Sequence, residues 1–204
     1  MGRHWKFLRA AAVACAAAML VSTGLILAYL PNRGRAMGEQ YAVYSAYIEN
    51  GLTGESHSLG DRRGTVLIAA DATMVGDFKG LQRLRATVGL ALNLHSRSSP
   101  PRSSLILGVL ISNLKTYRLD RSFTISAKYQ LLDYSVLVGS NLIERFPQSY
   151  GFLTFSSVAF NSDMTDALFY TEHLCGLCGG GEFVLMHKTG GNWMIANRYG
   201  TWIS

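Results

Sequence analysis

The last 55 residues constrain the fold of this chain more than any other stretch. From Tyr150 onward, apolar residues alternate with polar ones, and short turn sequences interrupt the alternation. This period of two is typical of strands that bury one face. Because the connections have hairpin length and Gly190-Gly191 is a typical tight turn, the strands should form an antiparallel meander. Four strands are predicted, over residues 151–160, 165–174, 182–188 and 192–202.

Such a sheet cannot leave both faces in water, and the preceding sequence supplies helices to cover it. Further strands are predicted over residues 65–70 and 123–132. Two of the predicted helices each have a single apolar stripe, which indicates one buried face. The first carries a single apolar stripe of Tyr41, Tyr44, Ile48 and Leu52, and the second a stripe of Leu81, Leu84, Val88 and Leu92. Helices are predicted over residues 37–50, 77–94, 105–117 and 134–146.

The third helical pattern is apolar on more than one side, since Leu105, Leu107 and Ile111 lie outside its main stripe. A helix of this kind is either well buried or in contact with a partner. Taken together, the patterns predict an α+β fold in which helices pack on an antiparallel sheet that ends in the four-stranded meander.

Residues 10–30 form 21 consecutive positions without a charged side chain. As a helix they would be about 30 Å long, which matches the hydrocarbon core of a bilayer. Arg3, Lys6 and Arg9 precede them and favour a cytoplasmic N-terminus. We therefore predict an N-terminal transmembrane helix with a basic cytoplasmic tip in residues 1–35. Residues 36–204 then form a single domain outside the cytoplasm, held at the cytoplasmic membrane.

A cleaved secretory signal is the alternative interpretation of the same segment. Gly34-Arg35-Ala36 offers small residues at the offsets that cleavage before Met37 requires. The apolar stretch is longer than the usual hydrophobic region of a signal peptide, which favours the anchor. Under this alternative the domain would be secreted, so both interpretations export it.

The formal charge of +6 does not predict a nucleic-acid partner. Five of the 19 basic residues lie in the first 35 positions, where there is no acidic residue. The rest of the chain has 14 basic and 13 acidic residues, so its net charge is close to zero. Binding to phosphates needs a concentrated basic face, and the sequence shows none.

Residues 175–181, Cys-Gly-Leu-Cys-Gly-Gly-Gly, are the local motif best suited to chemistry. In an exported domain, a disulfide between Cys175 and Cys178 is the first interpretation. Flanking glycines would allow the backbone angles of so small a ring. The spacing is also that of thiol–disulfide oxidoreductases, although the helix that normally activates the first cysteine is missing here.

Two further interpretations of the loop stay open. Zinc could bind to His173, Cys175, Cys178 and His187, although the second cysteine pair that makes a zinc prediction strong is absent. Alternatively, the backbone N–H groups of Gly179, Gly180 and Gly181 could form a ligand-binding loop. Apart from the zinc alternative, no cofactor is predicted.

Several short strings add a resemblance to a known family. They are Phe-Pro-Gln-Ser-Tyr-Gly at 146–151, Ser-Val-Ala-Phe-Asn at 157–161, the cysteine loop, and the closing Trp-Ile-Ser. The block is similar to an uncharacterised bacterial family of exported or membrane-anchored proteins whose C-terminal strands contain a CGxxCGxG-like loop. The resemblance covers about the last 60 residues well. It implies an exported domain of this fold class and implies no activity.

No nucleophile elbow, zinc-protease motif or phosphate loop occurs in the sequence. We therefore predict a non-enzymatic binding or structural module, with a thiol-redox or metal-binding protein centred on Cys175 and Cys178 as the alternative. The membrane is the predicted partner of residues 10–30. The sequence does not indicate which protein or small molecule the domain binds.

Overall fold

The computed structural model describes residues 33–52, 64–74, 80–138, 142–174 and 179–203. By its internal contacts the chain divides into two compact units, Met1–Glu39 and Gln40–Ser204. The second unit contains the whole of the sheet. Of the first unit, the structure describes residues 33–39, which are helical.

Five helices lie within the described residues, and they fall close to the predicted positions. The first helix passes into a π-helical turn at Ile48–Leu52. The predicted helix over residues 134–146 is observed as two short ones. The helices are α1 Arg33–Tyr47, α2 Gly80–His95, α3 Ser103–Ser112, α4 Tyr134–Val138 and α5 Leu142–Arg145.

The described strands are β1 Thr65–Ala69, β2 Asp71–Ala72, β3 Tyr117–Arg118, β4 Tyr129–Leu132, β5 Ser149–Phe155, β6 Ala159–Phe160, β7 Asp166–Leu174, β8 Gly179–Thr189 and β9 Asn192–Ile203. Seven of them form one mixed sheet in the order β4-β1-β5-β7-β8-β9, with β6 paired to β7 beside β5. Strands β2 and β3 form a separate antiparallel ribbon.

The prediction of an antiparallel sheet is wrong for one half of it. Strand β1 runs parallel to both β4 and β5. Parallel neighbours need long crossover connections, and here helices α2 and α3 lie between β1 and β4 in the chain, with α4 and α5 between β4 and β5. The continuous apolar run of β1 is typical of a strand buried on both faces, as parallel strands are.

The prediction of an N-terminal transmembrane helix is not supported either. Among the residues that the structure describes, no helix is long and apolar enough to cross a membrane. The predicted segment itself, residues 10–30, lies outside the described residues. The fold is therefore a mixed α+β domain with a seven-stranded sheet.

The C-terminal meander is confirmed by the pairing of β5 with β7, β7 with β8, and β8 with β9, all antiparallel. Gly190 and Gly191 have φ angles of +58° and +87°, as the two central residues of a tight hairpin turn require. The predicted first strand differs, because it is interrupted at residues 156–158 and becomes β5 and β6.

Side chains from the helices satisfy the backbone where that strand is interrupted. Ser157 N donates to Asn113 Oδ1 over 2.8 Å, and Val158 N donates to Gln40 Oε1 over 3.3 Å. The Tyr44 hydroxyl donates to the carbonyl of Ser156 over 2.6 Å. All of these groups are buried, so leaving them unpaired would cost free energy. Helices α1 and α3 thus fix the sheet at this break.

Strand β7 is buried on both faces, and each face has its own helical cover. Ala167 and Phe169 pack with the tyrosine stripe of α1, where the rings of Tyr44 and Phe155 stack with centroids 4.5 Å apart. Leu168 and Tyr170 face the other way. They pack with inner residues of α2 and α3, namely Ala91, Leu94, Leu105, Ile106 and Val109.

Candidate functional site

Cys175 and Cys178 lie outside the described residues, but the strands on either side of them are described. Leu174 at the end of β7 pairs with Gly179 at the start of β8. The four residues from 175 to 178 therefore connect two paired strands, as a hairpin connection does. The predicted disulfide and the thiol-redox alternative stay predictions.

The two histidines proposed as zinc ligands lie at opposite ends of the β7–β8 pair. His173 pairs with Gly180, next to the cysteine connection. His187 pairs with Asp166, seven residues further along β7, which corresponds to about 24 Å of strand. There its Nδ1 is 2.7 Å from Asp166 Oδ1. Because of this register, the structure does not bring the four predicted ligands together.

A smaller zinc site of His173, Cys175 and Cys178 stays a prediction, since it needs residues that the structure does not describe. Among the described residues there is no group of three His, Cys, Asp or Glu side chains that could hold a metal ion.

The three glycines lie in strand β8 rather than in a loop. Gly179, Gly180 and Gly181 pair with β7, and the last two also pair with β9. An alanine Cβ at Gly181 would overlap Tyr170 Oη and Trp202 Nε1. Glycine is required at this position because two polar side-chain atoms fill the space over its Cα.

These two side chains belong to a polar cluster on one face of the sheet. Trp202 Nε1 donates to Tyr170 Oη over 3.0 Å, and Tyr170 Oη donates to Glu172 Oε1 over 3.1 Å. Thr201 Oγ1 lies 3.3 Å from the same hydroxyl and donates to the carbonyl of Gly181 over 2.8 Å. On β7 this cluster lies between Leu168 and Leu174, which pack in two separate apolar groups.

Burial shifts the acidity of both titratable groups in the cluster. It raises the pKa of the Glu172 carboxyl above its usual value of 4.5, and it raises the pKa of Tyr170 to about 12. Hydrogen bonds to Glu172 from Tyr170 and Trp202 oppose its shift without cancelling it. A raised carboxyl pKa is frequent at functional sites. Here, however, the bonding partners come from the fold itself, so the cluster first of all holds β7, β8 and β9 together.

A second feature is an apolar surface on the outside of helices α2 and α3. Leu81 and Leu92 of α2 expose 74% and 63% of their surface. We call this surface the outer helical face. It consists of the exposed large apolar side chains of the two helices and of Leu114, the second residue after α3. They are Leu81, Leu84, Leu92, Leu107, Ile111 and Leu114.

The outer helical face is continuous across the two helices. A shallow groove of about 210 Å³ runs between them, with Val88 and Leu92 on one side and Leu107 and Leu110 on the other. His95 and Ser103 are the polar members of its lining. The groove therefore connects the outer helical face across the two helices at Leu92 and Leu107.

The apolar stripe of α2 was predicted correctly as a stripe, but Leu81, Leu84 and Leu92 point away from the sheet. The buried positions of α2 are Thr87, Ala91 and Leu94. Ala91 and Leu94 pack towards the sheet, whereas Leu81, Leu84 and Leu92 lie outside. The sequence pattern therefore identifies the outer helical face but gives it the wrong direction.

This surface also carries a local excess of positive charge that the balance of the whole domain conceals. From Gly80 to Lys115 there are five basic residues and no acidic one. Four of the five side chains are exposed, and the burial of Arg83 is not described. The four are Arg85, Arg97, Arg102 and Lys115.

Comparison of the chain with protein-family models, with curated proteins and with solved structures finds no match. The resemblance of the C-terminal block to exported bacterial proteins accordingly stays a prediction.

Gly181→Ala tests the close packing beneath Tyr170 and Trp202. The added methyl group must displace one of the two side chains, so we expect the free energy of unfolding to fall by about 1–3 kcal/mol. Gly200→Ala in β9 is the matched control, because no atom lies within 4 Å of the added Cβ. Urea unfolding measures both. Equal stability of the two variants would show that the space over Gly181 is not filled.

Glu172→Gln tests the buried carboxyl. Because burial raises its pKa, the folded protein binds this proton more tightly than the unfolded chain. The stabilisation that this tighter proton binding gives the folded state is fully present below pH 4.5. It is lost as the pH rises through the raised pKa of Glu172. Glutamine does not ionise, so the stability of Glu172→Gln relative to wild type should increase from pH 4.5 towards neutral pH. Unfolding in urea at a series of pH values measures it, and parallel pH profiles would contradict the assignment.

Proposed function

We propose that this protein is a non-enzymatic binding module that contacts its partner through the outer helical face. The observation that carries this proposal is the exposure of six large apolar side chains, five on the two adjacent helices and Leu114 just beyond them. Single exposed leucines are ordinary on protein surfaces, whereas a contiguous group joined by a groove is typical of interaction sites.

Folding does not account for the outer helical face, which supports this proposal. Helices α2 and α3 already bury an inner face against the sheet, where Leu94 and Leu105 are each 1% exposed. Keeping further leucines in water brings no benefit to the folded state. Their presence is explained if another surface covers them.

The alternative of a thiol-redox or metal-binding protein at Cys175 and Cys178 receives less support. Of the side chains considered for it, His187 lies far along the hairpin and is engaged with Asp166. Gly179, Gly180 and Gly181 lie in a paired strand. The position of the domain outside the cytoplasm stays a prediction that no geometric observation bears on.

Photo-crosslinking in cells that produce the full chain tests the proposal. A benzophenone amino acid replaces Leu92 in the outer helical face. The control replaces Met194, an apolar side chain of comparable size on β9 that is 51% exposed. Both positions are exposed, so the folded structure should tolerate either substitution.

We expect light-dependent covalent adducts at position 92 and few or none at position 194, because a partner covers only the outer helical face. Adducts are detected by gel shift and mass spectrometry, whatever their chemical nature. An absence of adducts at position 92, or equal yields at the two positions, would contradict the proposed function.

A further inference from the structure

We propose that the surface recognised by the outer helical face is that of an anionic lipid bilayer. This inference rests on the proposed function and names its partner. It depends on two independent properties of the same helices. They carry leucines that protrude from the protein, and the sequence from Gly80 to Lys115 has five basic residues and no acidic one. Of these cations, Arg102 is partly offset by Asp166, with its Nη1 3.9 Å from Asp166 Oδ2.

The apolar part of the surface has the form that insertion into a bilayer interface needs. Leu81 and Leu92 are separated by eleven residues, which is three helical turns, so they lie on one side of α2. Each exposes more than half of its surface. Side chains that project in this way can enter the acyl boundary below the headgroups.

The charged part of the surface is arranged around the leucines. Arg85 lies four residues after Leu81 and seven before Leu92, on the same side of α2. Lys115 directly follows Leu114. Arg97 and Arg102 lie in the connection between the two helices, where Arg97 donates to the carbonyl of Gly200 over 2.6 Å and Arg102 pairs with Asp166. Of the basic side chains that the structure describes, Arg85 and Lys115 are therefore the ones directly beside the leucines. Basic residues beside protruding leucines are typical of helices that lie on anionic membranes.

Other occupants fit the surface less well. A second copy of the chain would bring together two surfaces that each have an excess of basic residues, and like charges oppose that contact. A small molecule would need an enclosed pocket, whereas the groove between α2 and α3 is shallow and measures about 210 Å³. An acidic, apolar partner protein would share the charge complementarity, and it becomes one outcome of the test.

The test measures the environment of a single position while the full chain is exposed to vesicles. An environment-sensitive fluorescent amino acid replaces Leu92, and the same substitution at Met194 is the control. Vesicles consist of phosphatidylcholine alone or with about 30 mol% phosphatidylglycerol. A local probe is necessary because binding of the chain to vesicles would not by itself show that α2 lies in the lipid.

The anionic vesicles should shift the emission at position 92 to the blue and leave position 194 unchanged, and neutral vesicles should shift neither. Charge variants supply the second measurement. Arg85→Gln with Lys115→Gln should weaken this response about tenfold or more, because each lost cation weakens attraction to the anionic surface. The exposed pair Arg121→Gln with Lys128→Gln, outside the helical surface, should leave it unchanged.

Two results would overturn the inference. One is an equal blue shift on neutral and anionic vesicles, and the other is an unchanged emission at position 92 on both. If the emission is unchanged while photo-crosslinking at position 92 still yields protein adducts, the lipid proposal fails and the proposed binding function stands. If neither adducts nor an emission shift occur, both fail.

Discussion

The burial of strand β7 on both faces is the constraint on which the rest of the described structure depends. Its side chains alternate between two apolar groups, with Phe169 on one side of the sheet and Leu168 on the other. A strand of this kind is stable only when both sides of the sheet are covered. Helix α1 covers one side, and α2 and α3 cover the other.

Covering the sheet uses one face of each helix and leaves another face available for binding. For α1 the tyrosine stripe faces the sheet, and the hydroxyl of Tyr44 also satisfies a buried carbonyl at the break between β5 and β6. For α2 and α3 the contact is made by an inner set of side chains that includes Leu94 and Leu105, and a second set of leucines lies outside. The fold and the proposed binding surface therefore depend on different faces of the same two helices.

The parts of the fold that could be predicted are those with a strong local period. The meander follows from alternation and from the turn at Gly190-Gly191, and the buried side of α1 follows from its tyrosine stripe. The parallel arrangement around β1 could not be predicted, because a continuous apolar run fits a buried strand in either direction. The sequence also could not predict that the leucine stripe on α2 faces away from the sheet. Thr87 and Ala91 look less apolar than the exposed leucines, yet they are buried.

The candidate functional site was likewise only partly predictable from the sequence. The cysteine spacing drew attention to the connection between β7 and β8, but the register of the pair separates His173 from His187. The cluster of Tyr170, Glu172 and Trp202 had no sequence signal, because it joins residues that are 32 positions apart. The sequence pattern places Gly181 in a loop, but the structure places it in strand β8. There, its lack of a side chain leaves the space that Tyr170 and Trp202 occupy.

The most direct test of separate roles for the two faces of α2 compares how a substitution on each face changes the stability of the protein. Leu92 is 63% exposed on the outer helical face, and Leu94, two residues on, is 1% exposed on the inner face. If the outer face serves binding and not folding, Leu92→Ser should change the free energy of unfolding in urea by no more than about 0.5 kcal/mol. Leu94→Ala should lower it by about 2–5 kcal/mol. A loss at Leu92 as large as the loss at Leu94 would show that the outer leucines belong to the core, and it would contradict the account.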